Sequence, residues 1–190
     1  MTEKLEGAGA VKATMLQAHL AWAEAHAPGV AGKLETRLGE ESRRFLAAGL
    51  LATQWIPFRC FVEIDRAIAQ LMGGPEREIW HRMGLHSASV NLGGVYKAFV
   101  KEEPHRFFNR MTLLHGRFQS FGRPVYEATA ERSGRIQIDE CDQYSPVYCA
   151  SALGYYEGAL QMMKVPGPIR AEEALCQCAN DAICLYELAW

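Results

Sequence analysis

The apolar period of this chain changes once, at Phe121-Gly122, and that change restricts the folds open to it. Before it, apolar residues recur at helical spacing. Val11, Met15, Ala18, Leu20, Trp22 and Ala23 mark a first helix over 11–25, stopped by Pro28-Gly29. Two short helices are expected over 30–38 and 40–51. A longer one opens at Pro57, carries Phe58, Phe61, Val62, Asp65, Ile68, Ala69 and Met72 on its period, and ends at Gly73-Gly74-Pro75. Helices over 75–100 and 104–119 complete the first part. After Phe121 the period becomes two. Residues 123–130 and 135–141 alternate around a Ser133-Gly134 turn signal, with Ile136 and Ile138 against Gln137 and Asp139. Ser145-Pro146 then opens a helix over 145–163, an N-cap followed by proline at the first turn. Strands over 169–177 and 183–189 flank an Ala179-Asn180-Asp181 turn. The second part therefore reads strand–strand–helix–strand–strand. Hairpins at both ends predict a four-stranded antiparallel sheet, with the N-terminal helices packed on it. The fold class is α+β: a flexible start over 1–10, then a single domain over 11–190, helical to 120 and sheet-bearing, with the metal part, over 121–190.

A chain of 190 residues buries a core without disulfide staples. Its hydrophobic fraction of 49% and charged fraction of 22% are those of a globular domain. Net charge is −2, so no overall field draws it to nucleic acid or anionic lipid, and the densest basic cluster is only Arg43-Arg44. No apolar run approaches the ~20 residues that span a bilayer. The start, MTEKLEGAGAVK, lacks the apolar stretch of a secretory signal. The expectation is a cytoplasmic protein that binds neither nucleic acid nor membrane. No Gly-rich phosphate loop, nucleophile elbow or zincin helix is present, so no enzyme is expected.

Six cysteines in such a chain read as reduced thiols or metal ligands. Cys149 falls in the first half of the last expected helix. Glu173, Cys176 and Cys178 fall on the following strand, and Cys184 begins the final one. Thiolates and a carboxylate drawn from a helix and a hairpin can converge as a tetrahedral zinc site does. Buried free thiols are the plainer alternative.

The run SPVYCASALGYYEGAL, with EEALCQCANDAICLYELAW after it, resembles the ending of the 4-vinyl-reductase-type domain: a Gly-rich helix, a turn, E-x-x-C, seven residues and a second Cys. Glu173-x-x-Cys176 with Cys184 matches that spacing. Cys149 resembles the helix Cys of the aromatic-sensing members that activate phenol and toluene catabolism. The resemblance implies a structural Zn²⁺ held by Cys149, Glu173, Cys176 and Cys184. The turn at Val165-Pro166-Gly167-Pro168 is about one residue longer, which leaves Glu172 as a rival to Glu173, and Cys178 is an extra thiol. Over nearly its full length the chain also resembles a myxobacterial-type paralogous family, through Val11, Lys12 and Leu16, then Trp55, Pro57 and Phe58, and a final aromatic-x-x-x-Trp190. The wider superfamily holds haem NO-binding domains and TRAPP trafficking subunits, and implies cavities for small ligands.

Haem is not expected. The Tyr-x-Ser-x-Arg motif of haem NO-binding domains does not occur, and His81 and His86 are five apart. An apolar cavity lined by Trp55, Phe58, Trp80 and Phe108, with His86 as a polar group, is the expected ligand site; a packed core is the alternative. The function expected is a small-molecule-sensing regulatory module for an apolar or aromatic ligand, acting through a protein partner or as a homodimer. A non-catalytic interaction scaffold is the runner-up.

Overall fold

The computed structural model describes all residues except Glu6, Ala8 and Val95. Its elements run β1 (Ala10–Lys12), α1 (Ala13–His26), α2 (Val30–Leu34), α3 (Glu40–Ala47), β2 (Trp55–Pro57), α4 (Phe58–Met72), α5 (Glu76–Gly93), α6 (Pro104–Leu114), β3 (Arg123–Ala130), β4 (Ser133–Asp139), α7 (Pro146–Met162), β5 (Arg170–Leu175) and β6 (Cys184–Ala189). The α+β class and the strand–strand–helix–strand–strand second half are as the sequence predicts. The four-stranded sheet has the order β3-β4-β6-β5, antiparallel throughout.

Local chemistry sets the helix starts. Ser145 caps α7 by accepting from the Val147 N–H at 3.4 Å, with Pro146 at the first position, where no N–H is missed. Glu103 caps α6 by accepting from the His105 and Arg106 N–H groups at 2.9 and 3.1 Å, ahead of Pro104. Gly73, at φ 73°, ends α4 in a backbone region that costs glycine nothing.

One correction belongs to the N-terminal part. Val11 and Lys12 do not begin the first helix; they lie in β1, which pairs with β2 in register Val11↔Ile56. Strands of three residues are too short to show a period of two. Nearer the start, the Thr2 N–H donates to the Cys178 carbonyl, and Lys4 exchanges two backbone bonds with Tyr144.

The core has two parts. One is built from α1, α2, α4 and the first half of α5, around Leu16, Trp22, Phe58, Phe61, Ile64 and Ile68. The other lies between the sheet, α6 and α7, around Phe107, Phe108, Ile136, Tyr186 and Leu188. Helix α7 joins them by packing on α5 through glycines. A Cβ added at Gly84 would overlap the Ser151 carbonyl oxygen, and one at Gly154 would overlap that of His81. Both neighbours are backbone and cannot swing aside. Gly154→Ala should therefore lower stability by about 2 kcal/mol, which is roughly 4–8 °C in melting temperature for a chain of this size. Gly93→Ala places its Cβ in open space and should leave the melting temperature unchanged or raise it; equal losses from both would contradict this packing.

Candidate functional site

The sheet register decides which glutamate faces inward. Tyr126, Ile136, Tyr186 and Glu173 form one row across β3, β4, β6 and β5, and its first three members are buried in the core. Alternation then turns Glu172 outward, opposite Glu187, where both are exposed. The rivalry between the two glutamates resolves to Glu173. A register shift between Glu173 and Leu175 ends the regular ladder. Cys176 therefore stands just past the strand, and Cys178 sits in a short 3-10 turn rather than on the strand.

Four donors meet here. One ligand atom from each of Cys149, Glu173, Cys176 and Cys184 lies within 4.8 Å of the others. The Cys149 and Cys184 sulfurs are 3.9 Å apart, against ~3.8 Å for two thiolates on a tetrahedral zinc with bonds of about 2.3 Å. These are the four residues that the resemblance implies. Backbone groups hold the loop around them. Asp181 accepts from the Cys176 N–H at 2.8 Å, Asn180 takes the left-handed conformation at φ 75°, and the Gln177 N–H points at Cys184 Sγ at 3.5 Å. Cys149 sits near the start of α7.

The electrostatics are those of too many anions for one place. Arg77, in the first turn of α5, reaches Glu173 Oε2 at 2.5 Å. Glu173 Oε1 is buried with no hydrogen-bond partner. Burial, then the Cys176 thiol, pushes the Glu173 carboxyl up to about 7 despite Arg77. Hydrogen bonds from Cys149 and the other surrounding thiols pull Cys176 down, while Cys149 and Cys184 are driven up and Cys178 reaches about 12. Five groups that can each carry a negative charge are packed together, and most are driven toward their neutral forms. A divalent cation would reverse this balance, holding the thiolates and the orphaned Oε1 together. The donor set thus fits zinc, with soft sulfur ligands, one carboxylate and no position left for water.

A cavity of about 110 Å³ lies beside this cluster, between α1, α5, α6, α7 and the sheet. That is below the roughly 300–1,000 Å³ of drug-sized sites and near the ~150 Å³ apolar cavity that admits benzene. Its walls are mostly apolar and aromatic, including Phe108, Met111, Ile136, Tyr148, Tyr156 and Tyr186. Burial raises the Tyr148, Tyr155 and Tyr156 hydroxyls. His115 also lines the cavity; its Nε2 donates to the Phe121 carbonyl at 2.9 Å, and burial lowers its pKa.

Of the aromatic residues expected at a ligand site, Phe108 lines the cavity and the rest lie elsewhere. Trp55 is 39% exposed on β2 beneath the Lys12 ammonium. Phe58 packs against Phe121 and Tyr148 in the first core. Trp80 donates its Nε1–H to the Asp65 carbonyl, and His86 is half-buried on α5 off the cavity wall. The lining tyrosines of α7 and the polar residues of α1 escaped sequence reading, because their meeting depends on packing across the whole chain.

The fold is that of H-NOX proteins. An Fe(II) unliganded H-NOX protein from K. algicida superposes with a TM-score of 0.71 at 11% identity, over 94% of this chain and 95% of that one. An oxygen-binding H-NOX domain related to soluble guanylate cyclases gives 0.65 at 14% identity, over 93% and 92%. An H-NOX protein from S. oneidensis in its Fe(II)NO state gives 0.66 at 14%, over 93% and 97%. Other neighbours with this fold are described by their haem distortion and haem redox potential. At such identities the likeness establishes the fold. No family model and no curated protein sequence matches the chain. The expectation of no haem is overturned by these neighbours: a missing Tyr-x-Ser-x-Arg motif does not exclude haem from a fold that haem proteins share. Among the described residues, no helix is long and apolar enough to cross a membrane.

Truncating the aromatic residues should separate wall from surface. Phe108→Ala should cost about 3 kcal/mol and enlarge the cavity, whereas Trp55→Ala should cost about 1 kcal/mol or less. Urea unfolding of both variants reads the difference, and a larger loss at Trp55 would contradict the assignment.

Proposed function

We propose that the protein is a small-molecule sensor in which a zinc ion on Cys149, Glu173, Cys176 and Cys184 fixes one wall of a one-ring ligand cavity. The observation that carries this reading is that cluster and cavity share two elements. On α7, Cys149 follows the cavity residue Tyr148; on β6, Cys184 precedes the cavity residue Tyr186 by two positions. Zinc would hold the β5–β6 hairpin against α7, so that the cavity keeps its shape and a ligand's arrival is felt at the hairpin. The orphaned Glu173 Oε1 supports the same reading, since a buried carboxylate oxygen without a partner is costly. Output would pass to a protein partner or a second copy of the chain. A second reading, favoured by the fold of the H-NOX neighbours, makes haem the occupant of the cavity; an absorption spectrum of the purified protein, with or without a Soret band, separates the two.

Two outcomes follow. Purified protein should hold about one zinc per chain, and strong chelation should lower its melting temperature, because site formation and folding are linked. Cys184→Ser should lose the metal and Cys60→Ser, buried in α4 outside the cluster, should keep it. Metal-free protein of unchanged stability would sink the zinc assignment. Toluene and benzene at a hundred times their Kd should stabilise the fold by about 2.7 kcal/mol through mass action. No shift with any one-ring compound would leave the cavity without a ligand of this class.

A further inference from the structure

The cavity wall holds a second constellation that sensing does not use. His19 Nδ1 lies 2.8 Å from Asp65 Oδ2, and His19 Nε2 lies 3.3 Å from Ser151 Oγ. The three residues come from α1, α4 and α7, and all are buried. His19 and Ser151 also line the cavity, while Asp65 stands behind the imidazole. We propose that Ser151, His19 and Asp65 form a nucleophile–base–carboxylate relay that hydrolyses small aryl esters entering this cavity. The inference rests on the cavity admitting a one-ring molecule.

The geometry assigns each role. Burial pushes the Asp65 carboxyl up against the pull of His19; in its ionised form Asp65 can only accept, so Nδ1 then carries the imidazole proton toward Asp65 and Nε2 is the acceptor facing Ser151. That is the tautomer a general base needs, and a separation of 3.3 Å is within what catalytic bonds show before substrate tightens them. A His–Asp pair in the core could be purely structural. What sets this trio apart is that the imidazole and the Ser151 hydroxyl both line the cavity, where a ligand would meet them. The chemistry runs in two halves. Ser151 Oγ bonds to the ester carbonyl carbon as its proton passes to His19 Nε2; the bond to the aryl oxygen breaks, and that oxygen takes the proton from His19. Water then bonds to the acyl carbon and gives its proton to His19; the bond to Ser151 Oγ breaks, and Oγ recovers the proton as the carboxylic acid leaves. Ester and water become acid and phenol, with nothing further required.

Ser151 lies within a helix, so its own N–H is committed and the oxyanion must be met by side chains. Asn91 lines the same cavity and donates one amide N–H to Ser87 Oγ at 3.2 Å, leaving a second. Tyr155 is also on this wall and offers a hydroxyl donor. The aromatic walls select a ring, and the cavity's size restricts the acyl group to a short one.

The test treats the full chain with a fluorophosphonate reagent and maps the adduct by peptide mass spectrometry, alongside turnover of phenyl acetate and melting curves with toluene. The expected result is an adduct on Ser151, slowed by toluene, and absent from Ser151→Ala and His19→Gln. Phenyl acetate turnover should fall by about 10²-fold or more in either variant. Ser151→Ala removes one oxygen and should keep its melting-temperature response to toluene, which separates loss of chemistry from loss of fold. If toluene stabilises the protein but Ser151 stays unlabelled, or turnover persists in Ser151→Ala, the relay is overturned while the cavity stands. If toluene gives no response and Ser151 is unlabelled, cavity and relay fall together.

Discussion

Everything of interest in this molecule depends on how closely α5 and α7 approach. Two glycines, Gly84 and Gly154, let backbone lie on backbone where any side chain would collide, and at a third, Gly158, a Cβ would press on Ala88. That contact fixes α7 between the helical part and the sheet. Along one helix it presents Cys149 to the hairpin, Tyr148, Tyr155 and Tyr156 to the cavity, and Ser151 to His19. Arg77, at the start of the partner helix, reaches Glu173 from the same junction.

The second half of the fold was legible because its signals are local. Alternation of Ile136 and Ile138, the Ser133-Gly134 turn and the Ser145-Pro146 cap each act within a few residues, and all correspond to observed elements. The cysteine–glutamate cluster was legible for a different reason: the spacing of Glu173, Cys176 and Cys184 is carried by one hairpin, so a linear motif records its geometry. The register of that hairpin, with Glu173 opposite Tyr186, adds what spacing leaves open between Glu172 and Glu173.

What stayed hidden depends on residues far apart in sequence. The β1–β2 ribbon pairs residues about 45 positions apart through strands too short to show a period. His19, Asp65 and Ser151 span 132 positions and carry no motif. Aromatic side chains announce burial but not what they face: Phe58 and Trp80 went to the core, Trp55 to a cation at the surface, and Phe108 to the cavity. The reading of haem from a missing three-residue motif failed similarly, because fold is set by the packing of the whole chain and not by one motif.

The central claim is that a metal joins α7 to the β5–β6 hairpin through three sulfurs and one oxygen. Zinc K-edge X-ray absorption on the purified protein tests it directly. The account predicts zinc bound by three sulfurs at about 2.3 Å and one light-atom ligand at about 2.0–2.2 Å. A zinc shell of oxygen and nitrogen alone, or a folded protein with no metal edge, would contradict it.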